Sequence, residues 1–174
     1  MIHQDFTLTG MNLSVEIFEN RVELSNPGSM LIDVARIIDS SPKSRNEKLS
    51  SLMRRMHLCE ELGTGWDKIV DSCESNVLPT PEITENSDSI RVTIYGKKPF
   101  RDMGSDERIY ACYMHACSQH EKGLKMTNSS LRQRFGLDNS NSSAAIVSRI
   151  IRNAIDKELI KHNGSANQYI PAWA

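Results

Sequence analysis

The sequence predicts an α+β protein with two domains. An N-terminal α+β domain of short antiparallel strands and helices covers 1–96, and three helices with a β-hairpin cover 106–174. Three observations support this division: apolar residues alternate near both ends of the first domain, they recur with helical spacing elsewhere, and Gly, Pro and Ser cluster at 96–105. We therefore predict a linker at 97–105.

Composition indicates an ordinary folded protein. Of the 174 residues, 39% are hydrophobic and 25% are charged, which is typical of globular domains. No apolar run approaches the roughly 20 residues that cross a bilayer. The first ten residues lack the basic and apolar regions of a signal peptide, so we expect a cytoplasmic protein with no membrane partner.

The net charge of -1 hides an uneven distribution. Residues 1–99 contain 11 basic and 15 acidic side chains, whereas residues 100–174 contain 10 basic and 7 acidic ones. The second domain is therefore modestly basic, which permits a nucleic-acid partner without requiring one.

The N-terminal domain begins with two predicted strands joined near Glu19-Asn20, and a turn is predicted at Asn26-Pro27-Gly28. Helices are predicted over 30–40, 45–56 and 65–76, and a second hairpin over 82–85 and 89–95. The apolar residues that alternate in the strands are Val15, Ile17, Val22, Leu24, Ile90, Val92 and Ile94.

The C-terminal domain begins with a predicted helix at 106–120, capped by Asp106 and ended by Gly123. A short helix opens at Thr127 and stops at Gly136, and a third helix covers 142–158. Two β-prone runs at 159–162 and 168–171 flank an Asn-Gly turn and predict a hairpin. The apolar stripe of the third helix comprises Ala144, Val147, Ile150, Ile151, Ala154 and Ile155.

Three helices followed by a hairpin is the order of a winged helix-turn-helix. The segments Leu131-Arg-Gln-Arg-Phe-Gly-Leu137, Val147-Ser-Arg-Ile-Ile151 and Leu159-Ile160 resemble bacterial winged-helix regulators, and the resemblance covers 106–174. It implies a double-stranded DNA partner, a third helix in the major groove and a homodimer. The implied DNA-binding residues are Asn141, Ser142, Ser148, Arg149 and Arg152 on the helix and Lys161, His162, Asn163 and Gln168 in the hairpin.

A second resemblance covers 1–96. The segments His3-Gln4-Asp5-Phe6, Val15-Glu-Ile-Phe-Glu-Asn-Arg-Val-Glu-Leu-Ser-Asn-Pro-Gly28 and Glu60-Glu-Leu-Gly-Thr-Gly-Trp66 resemble the C-terminal domain of RecG-like, ATP-dependent DNA helicase-related proteins and transcriptional regulators. In that family an AlbA-like or Schlafen-like domain precedes this region. The resemblance therefore implies a C-terminal fragment of a longer protein, with the upstream domain as a further partner.

No catalytic constellation is found, so we expect neither an enzyme nor a cofactor. The chain lacks G-x-x-x-x-G-K-[ST], the loop by which helicases cradle phosphates. The RecG-like family is distantly similar to the GHKL ATP-binding fold, which makes Gly63-Thr64-Gly65 a weak alternative nucleotide loop; we prefer a helix-terminating turn there. His3-Gln4-Asp5 lacks a nearby nucleophile and is expected to be a frayed terminus.

Four potential metal ligands, Cys112, His115, Cys117 and His120, fall within one predicted helix. At about 100° per residue they spread over more than half of its circumference and could not converge on one tetrahedral ion. We therefore predict no metal site and reduced thiols.

Together these features predict a fragment of a DNA-binding transcriptional regulator, whose α+β domain mediates assembly or sensing. Two alternatives stay open: a GHKL-like nucleotide-binding module of a larger ATP-dependent protein, and a protein-interaction or dimerisation module without DNA binding.

Overall fold

The computed structural model describes residues 2–41, 43–59, 63, 65–164 and 167–174. The chain forms two compact units. The first comprises Met1–Lys68 and Pro81–Tyr95, and the second comprises Ile69–Thr80 and Gly96–Ala174. The units are thus discontinuous in sequence, whereas the sequence predicts one division of the chain near the linker.

The first unit contains a four-stranded antiparallel sheet. Its strands are β1 (Ser14–Ile17), β2 (Arg21–Pro27), β3 (Glu82–Glu85) and β4 (Ser89–Tyr95), in the order β1-β2-β4-β3. Both predicted hairpins are confirmed. They join into one sheet because β2 pairs with β4 along its whole length, from Arg21 opposite Tyr95 to Pro27 opposite Ser89.

Two helices follow β2: α1 (Glu47–Arg55) and α2 (Gly65–Ser75), the second of which begins in the first unit and ends in the second. The helix predicted over 30–40 is wrong. Only a 3-10 turn forms there, at Val34–Arg36. The Asp33 carboxylate accepts the Ala35 N–H at 2.9 Å, and the Ser40 hydroxyl donates to the Arg36 carbonyl at 2.6 Å. Such side-chain bonds to the backbone compete with a helical ladder.

The turn predicted at Asn26-Pro27-Gly28 begins later than expected. Asn26 and Pro27 still belong to β2, and only Gly28 leaves the strand. Gly28 has a φ of 116°, and a Cβ there would lie 3.1 Å from the Cβ of Asp5. The position therefore requires glycine for both its dihedral angle and its close packing.

The second unit has the predicted order of three helices and a hairpin. These are α3 (Ser105–Glu121), α4 (Asn128–Arg134), α5 (Asn141–Asp156), β5 (Ile160–His162) and β6 (Tyr169–Pro171). Large apolar side chains from every element form its core. The buried side chains include Ile109, Met114, Met126, Leu131, Phe135, Val147, Ile151, Ile160 and Ile170.

Helix ends in this unit depend on local capping. The short helix predicted to open at Thr127 begins one residue later, and Thr127 caps it: its hydroxyl accepts the Ser130 N–H at 3.1 Å. The predicted cap of α3 at Asp106 is wrong, since the helix begins one residue earlier and the Glu107 carboxylate accepts the Gly104 N–H. Asp106 instead accepts a hydrogen bond from Lys157 at 2.7 Å.

Within the part of the chain that the structure describes, no helix is long and apolar enough to cross a bilayer.

Candidate nucleic-acid interface

Helix α5 has one buried and one exposed face, as its periodicity predicts. Val147, Ile151 and Ala154 are at most 3% exposed, and they pack into the core of the second unit. The opposite face is open to solvent over its whole length. Its exposed residues include Asn141, Ser142, Ala145, Ile146, Arg149, Arg152 and Asn153.

Two guanidinium groups on this face are available to a partner. Arg149 and Arg152 are exposed, and neither forms a hydrogen bond or an ion pair with any residue that the structure describes. They lie three residues apart on one helix, so both side chains extend from the same side. The exposed face of α5 therefore presents two guanidinium groups without an ion-pair partner among the described residues, together with one carboxylate, Asp156, one turn after Arg152.

The hydroxyl of Ser148, another predicted DNA-binding residue, is already engaged within the unit. It accepts a hydrogen bond at 2.9 Å from Asn128 Nδ2, which also donates to the Ala144 carbonyl at 3.0 Å. Asn128 is the first residue of α4, so this pair of bonds fastens the start of α4 to the middle of α5. Sequence reasoning missed Asn128, because a polar residue after a helix cap carries no signal of a contact 20 positions away.

The first turn of α5 is fixed by a cluster of short polar side chains. The Asp138 carboxylate accepts hydrogen bonds from the hydroxyls of Ser140 at 2.6 Å and Ser143 at 2.5 Å. These bonds lower the pKa of Asp138, because they stabilise its charged form. Ser142 remains exposed, and its hydroxyl lies 2.9 Å from that of Ser140. The cluster thus sets the orientation of the predicted contact residues Asn141 and Ser142.

The β5–β6 hairpin places further predicted contact residues on the surface. Lys161 is exposed and has no partner among the described residues, and the His162 ring lies 4.9 Å from the Tyr169 ring. The Asn163 N–H donates to the Gln168 carbonyl at 3.0 Å, and Gln168 is itself exposed. Residues 165 and 166 of the predicted turn lie outside the described residues.

The hairpin is held directly beside the start of α4. Met126 and Tyr169 exchange two backbone hydrogen bonds, of 3.1 and 2.9 Å. Met126 is fully buried and immediately precedes the α4 cap. The hairpin and the helices are therefore fixed to one another within the second unit.

A buried polar network joins the last turn of α2 to α3 and α4. His115 is 5% exposed; its Nδ1 lies 2.8 Å from the Glu74 carboxylate and its Nε2 lies 3.1 Å from the Ser130 hydroxyl. The Ser130 oxygen also accepts the Thr127 N–H at 3.0 Å. Glu74 lies 3.2 Å from Arg134 Nε in an ion pair. The network combines the same three group types as a hydrolase triad: a serine hydroxyl, an imidazole and a carboxylate. Here the Ser130 hydroxyl completes the α4 cap, so the network positions α4.

The potential metal ligands of α3 contact different neighbours. The Cys112 sulfur lies 3.9 Å from that of Met126, whereas His115 binds Glu74 and the His120 ring packs edge-on against Trp173 at 5.5 Å. This divergence agrees with the spread expected around one helix.

The first part of the chain is similar to a known protein family. Residues 10–94 match the family model described as "Putative ATP-dependent DNA helicase recG C-terminal". This part of the chain is therefore similar to the RecG C-terminal family. The match supports the RecG-like part of the predicted resemblance, over residues 10–94. No curated protein matches the chain in sequence.

A solved structure resembles the whole fold. The DIP2311 protein from Corynebacterium diphtheriae superposes with a TM-score of 0.54 at 17% identity, over 98% of this chain and 32% of that one. The chain therefore spans about a third of that protein's length. At this identity the likeness concerns the fold alone.

Within the RecG-like segment, the weak alternative nucleotide loop is only partly described. Gly63 is exposed with a φ of 72°, and Gly65 is the first residue of α2. Thr64 lies outside the described residues. The two glycines do not end a helix as expected, because the preceding helix, α1, already ends at Arg55. The chain leaves α1 at His57, which takes a φ of 56°, and the Leu58 N–H donates to the Met53 carbonyl at 2.9 Å.

The start of the chain is better fixed than expected. The Asp5 N–H donates to the Pro27 carbonyl at 3.0 Å, and the Asp5 carboxylate pairs with Arg45 at 3.1 Å. The same carboxylate accepts hydrogen bonds from Thr7, which lower its pKa. The prediction of a frayed terminus is therefore wrong for this residue, because its backbone continues the bonding of β2.

Proposed function

We propose that the second unit is a winged helix-turn-helix that binds duplex DNA, and that the protein acts as a regulator of transcription. The observation that carries the proposal is the exposed face of α5 with two unpaired guanidinium groups, Arg149 and Arg152. A helix with this exposure fits the width of the major groove, and free guanidinium groups recognise phosphate oxygens and guanine.

The polar residues at the start of α5 support the same orientation. Asn141 and Ser142 are exposed at the first turn, where a recognition helix brings its side chains nearest to the bases. Their amide and hydroxyl groups can both donate and accept hydrogen bonds, as contacts with base edges and phosphates require.

The hairpin supplies a second point of contact in this proposal. Lys161 on β5 is exposed and unpaired within the described residues, so its ammonium group is available to a phosphate. Because β6 is bonded to Met126 next to α4, the wing is held rigidly beside the helices. Rigid placement lowers the entropy that binding must overcome.

The first unit has a different role in this proposal. Its residues, 1–68 and 81–95, include 13 acidic and 9 basic side chains, and this excess of negative charge disfavours a phosphate-rich partner. We assign this RecG-like unit to assembly or sensing, together with an upstream domain of the full-length protein. We further propose that the regulator binds DNA as a homodimer, because paired half-sites match a two-fold axis.

The proposal is tested by fluorescence anisotropy with a labelled random-sequence duplex of about 30 base pairs at 0.1 M salt. Each phosphate contact contributes about one order of magnitude in affinity at that salt concentration, so R149A/R152A should weaken binding at least about ten-fold. The matched control is K48A/R55A, which removes two exposed positive charges from α1.

The control should bind as the wild type does. The proposal fails if the wild-type chain binds no duplex even at 0.02 M salt, or if the two double variants lose affinity equally.

A further inference from the structure

An apolar patch interrupts the polar face of α5. Ile146 is 38% exposed, whereas two other isoleucines of the same helix, Ile150 and Ile151, are 6% and 3% exposed. Ala145 beside it is exposed as well. A single exposed isoleucine on a surface is ordinary, but here Ala145 lies near the middle of the proposed recognition face and Ile146 lies at its border.

Helical spacing places polar groups on both sides of the patch. Ser142 lies four residues before Ile146, and Arg149 lies four residues after Ala145, so the four side chains are neighbours on one surface. A partner seated here therefore meets apolar groups at its centre and hydrogen-bonding groups at its edges.

We propose that Ala145 and Ile146 contact the C5-methyl groups of thymines in the major groove, so that this surface selects sites with thymine at one or two fixed positions. The inference rests on the proposed function. Among the four bases only thymine presents a methyl group in the major groove, and apolar side chains recognise it by contact.

The charges around the patch favour DNA over an apolar protein surface as its occupant. Covering Ile146 with a protein would also cover Arg149, which has no partner among the described residues. Burying an unpaired guanidinium is strongly unfavourable unless the partner supplies an anion at that position. The DNA backbone supplies phosphates beside every base step, so duplex DNA satisfies both the apolar and the charged groups at once.

The test begins with selection of the tightest sites from a random duplex library by the full chain. Each thymine of the selected site is then replaced singly by deoxyuridine, which removes only the methyl group. At one or two positions the wild-type chain should lose about four-fold in affinity, the value expected for one buried methyl group.

The same deoxyuridine replacements should not change the affinity of I146S for the duplex, or that of A145S if I146S does not fold. The matched control is L124S, because Leu124 is 54% exposed in the same unit but lies outside α5; it should keep the wild-type discrimination.

The outcomes separate the two proposals. If the selected sites contain no fixed thymine, or if deoxyuridine is tolerated at every position, the thymine contact is overturned while DNA binding stands. If I146S and A145S still discriminate against deoxyuridine, other residues make the contact and the inference is wrong. If no duplex is selected, the proposed function itself fails and this inference fails with it.

Discussion

Replacing Glu74 with alanine tests whether the last turn of α2 holds the helices of the second unit in place. The Glu74 carboxylate lies 2.8 Å from His115 Nδ1 and 3.2 Å from Arg134 Nε. The side chains of His115 and Arg134 are only 6% and 2% exposed. The variant therefore leaves a buried guanidinium without its counter-ion and a buried imidazole without its carboxylate.

The expected loss follows from that burial. Removal of one partner from a buried ion pair costs about 3–5 kcal/mol, because the remaining charge is uncompensated. For a unit of this size, each kcal/mol lowers the melting temperature by about 4–8 °C, so E74A should melt at least about 12 °C below the wild type. The double variant E74A/R134M should recover part of the loss, since it removes the unpaired charge.

The assay is urea and thermal unfolding followed by circular dichroism. The matched control is D106A, which removes another carboxylate of the second unit from an ion pair with Lys157 whose side chains are 89% and 52% exposed. Such an exposed pair contributes little to stability, so D106A should unfold close to the wild type. If E74A were as stable as D106A, the buried network would not position α4 and the reasoning would be refuted.

Three further predictions follow from burial and hydrogen bonding. With iodoacetamide at pH 8, the half-buried Cys59 should be alkylated in the native protein, whereas Cys112 should not. Burial raises the pKa of Cys112 to about 12, so this thiol stays protonated and unreactive. Mass spectrometry detects the labels, and fast labelling of Cys112 would contradict its burial. Because its folded pKa is lowered, the Asp138 carboxylate stabilises the fold above its ordinary value of 3.8, and this stabilisation is lost as the pH falls through the lowered value. D138N should thus have a lower melting temperature than the wild type at pH 7. At a pH low enough to protonate the Asp138 carboxylate, the two proteins should melt at the same temperature. An equal difference in melting temperature at neutral and at low pH would contradict this prediction. A fragment of residues 97–174 should unfold at lower urea concentration than the full chain, since Ile69–Thr80 packs with the second unit, and equal midpoints would show that this segment adds no stability.

Periodicity was sufficient to predict the elements whose apolar residues recur regularly. Ile90, Val92 and Ile94 alternate along β4, and the predicted strand has the observed bounds. Helix α5 is predicted at 142–158 and observed at Asn141–Asp156, and the apolar stripe around Val147 and Ile151 separates its two faces. In both cases the spacing of the apolar residues matches the period of the element, so a local pattern contains the information.

The sequence could not show where side chains meet across long separations. Glu74 and His115 are 41 positions apart, and no spacing rule connects a residue in α2 with the cap of α4. The prediction also failed at 30–40, where the bonds made by Asp33 and Ser40 override a helical pattern. Ser148 shows the corresponding limit for the candidate interface: a helical wheel indicates its angle, but not that Asn128 already occupies its hydroxyl.

The salt dependence of DNA binding tests the central claim most directly, because it counts phosphate contacts rather than overall affinity. The slope of log Kobs against log salt concentration falls by about 0.9 for each phosphate contact that is lost. If Arg149 and Arg152 both contact phosphates, the slope for R149A/R152A should be smaller in magnitude than that of the wild type by about 1.8. Equal slopes for the two proteins would contradict the assignment of this face of α5 to DNA.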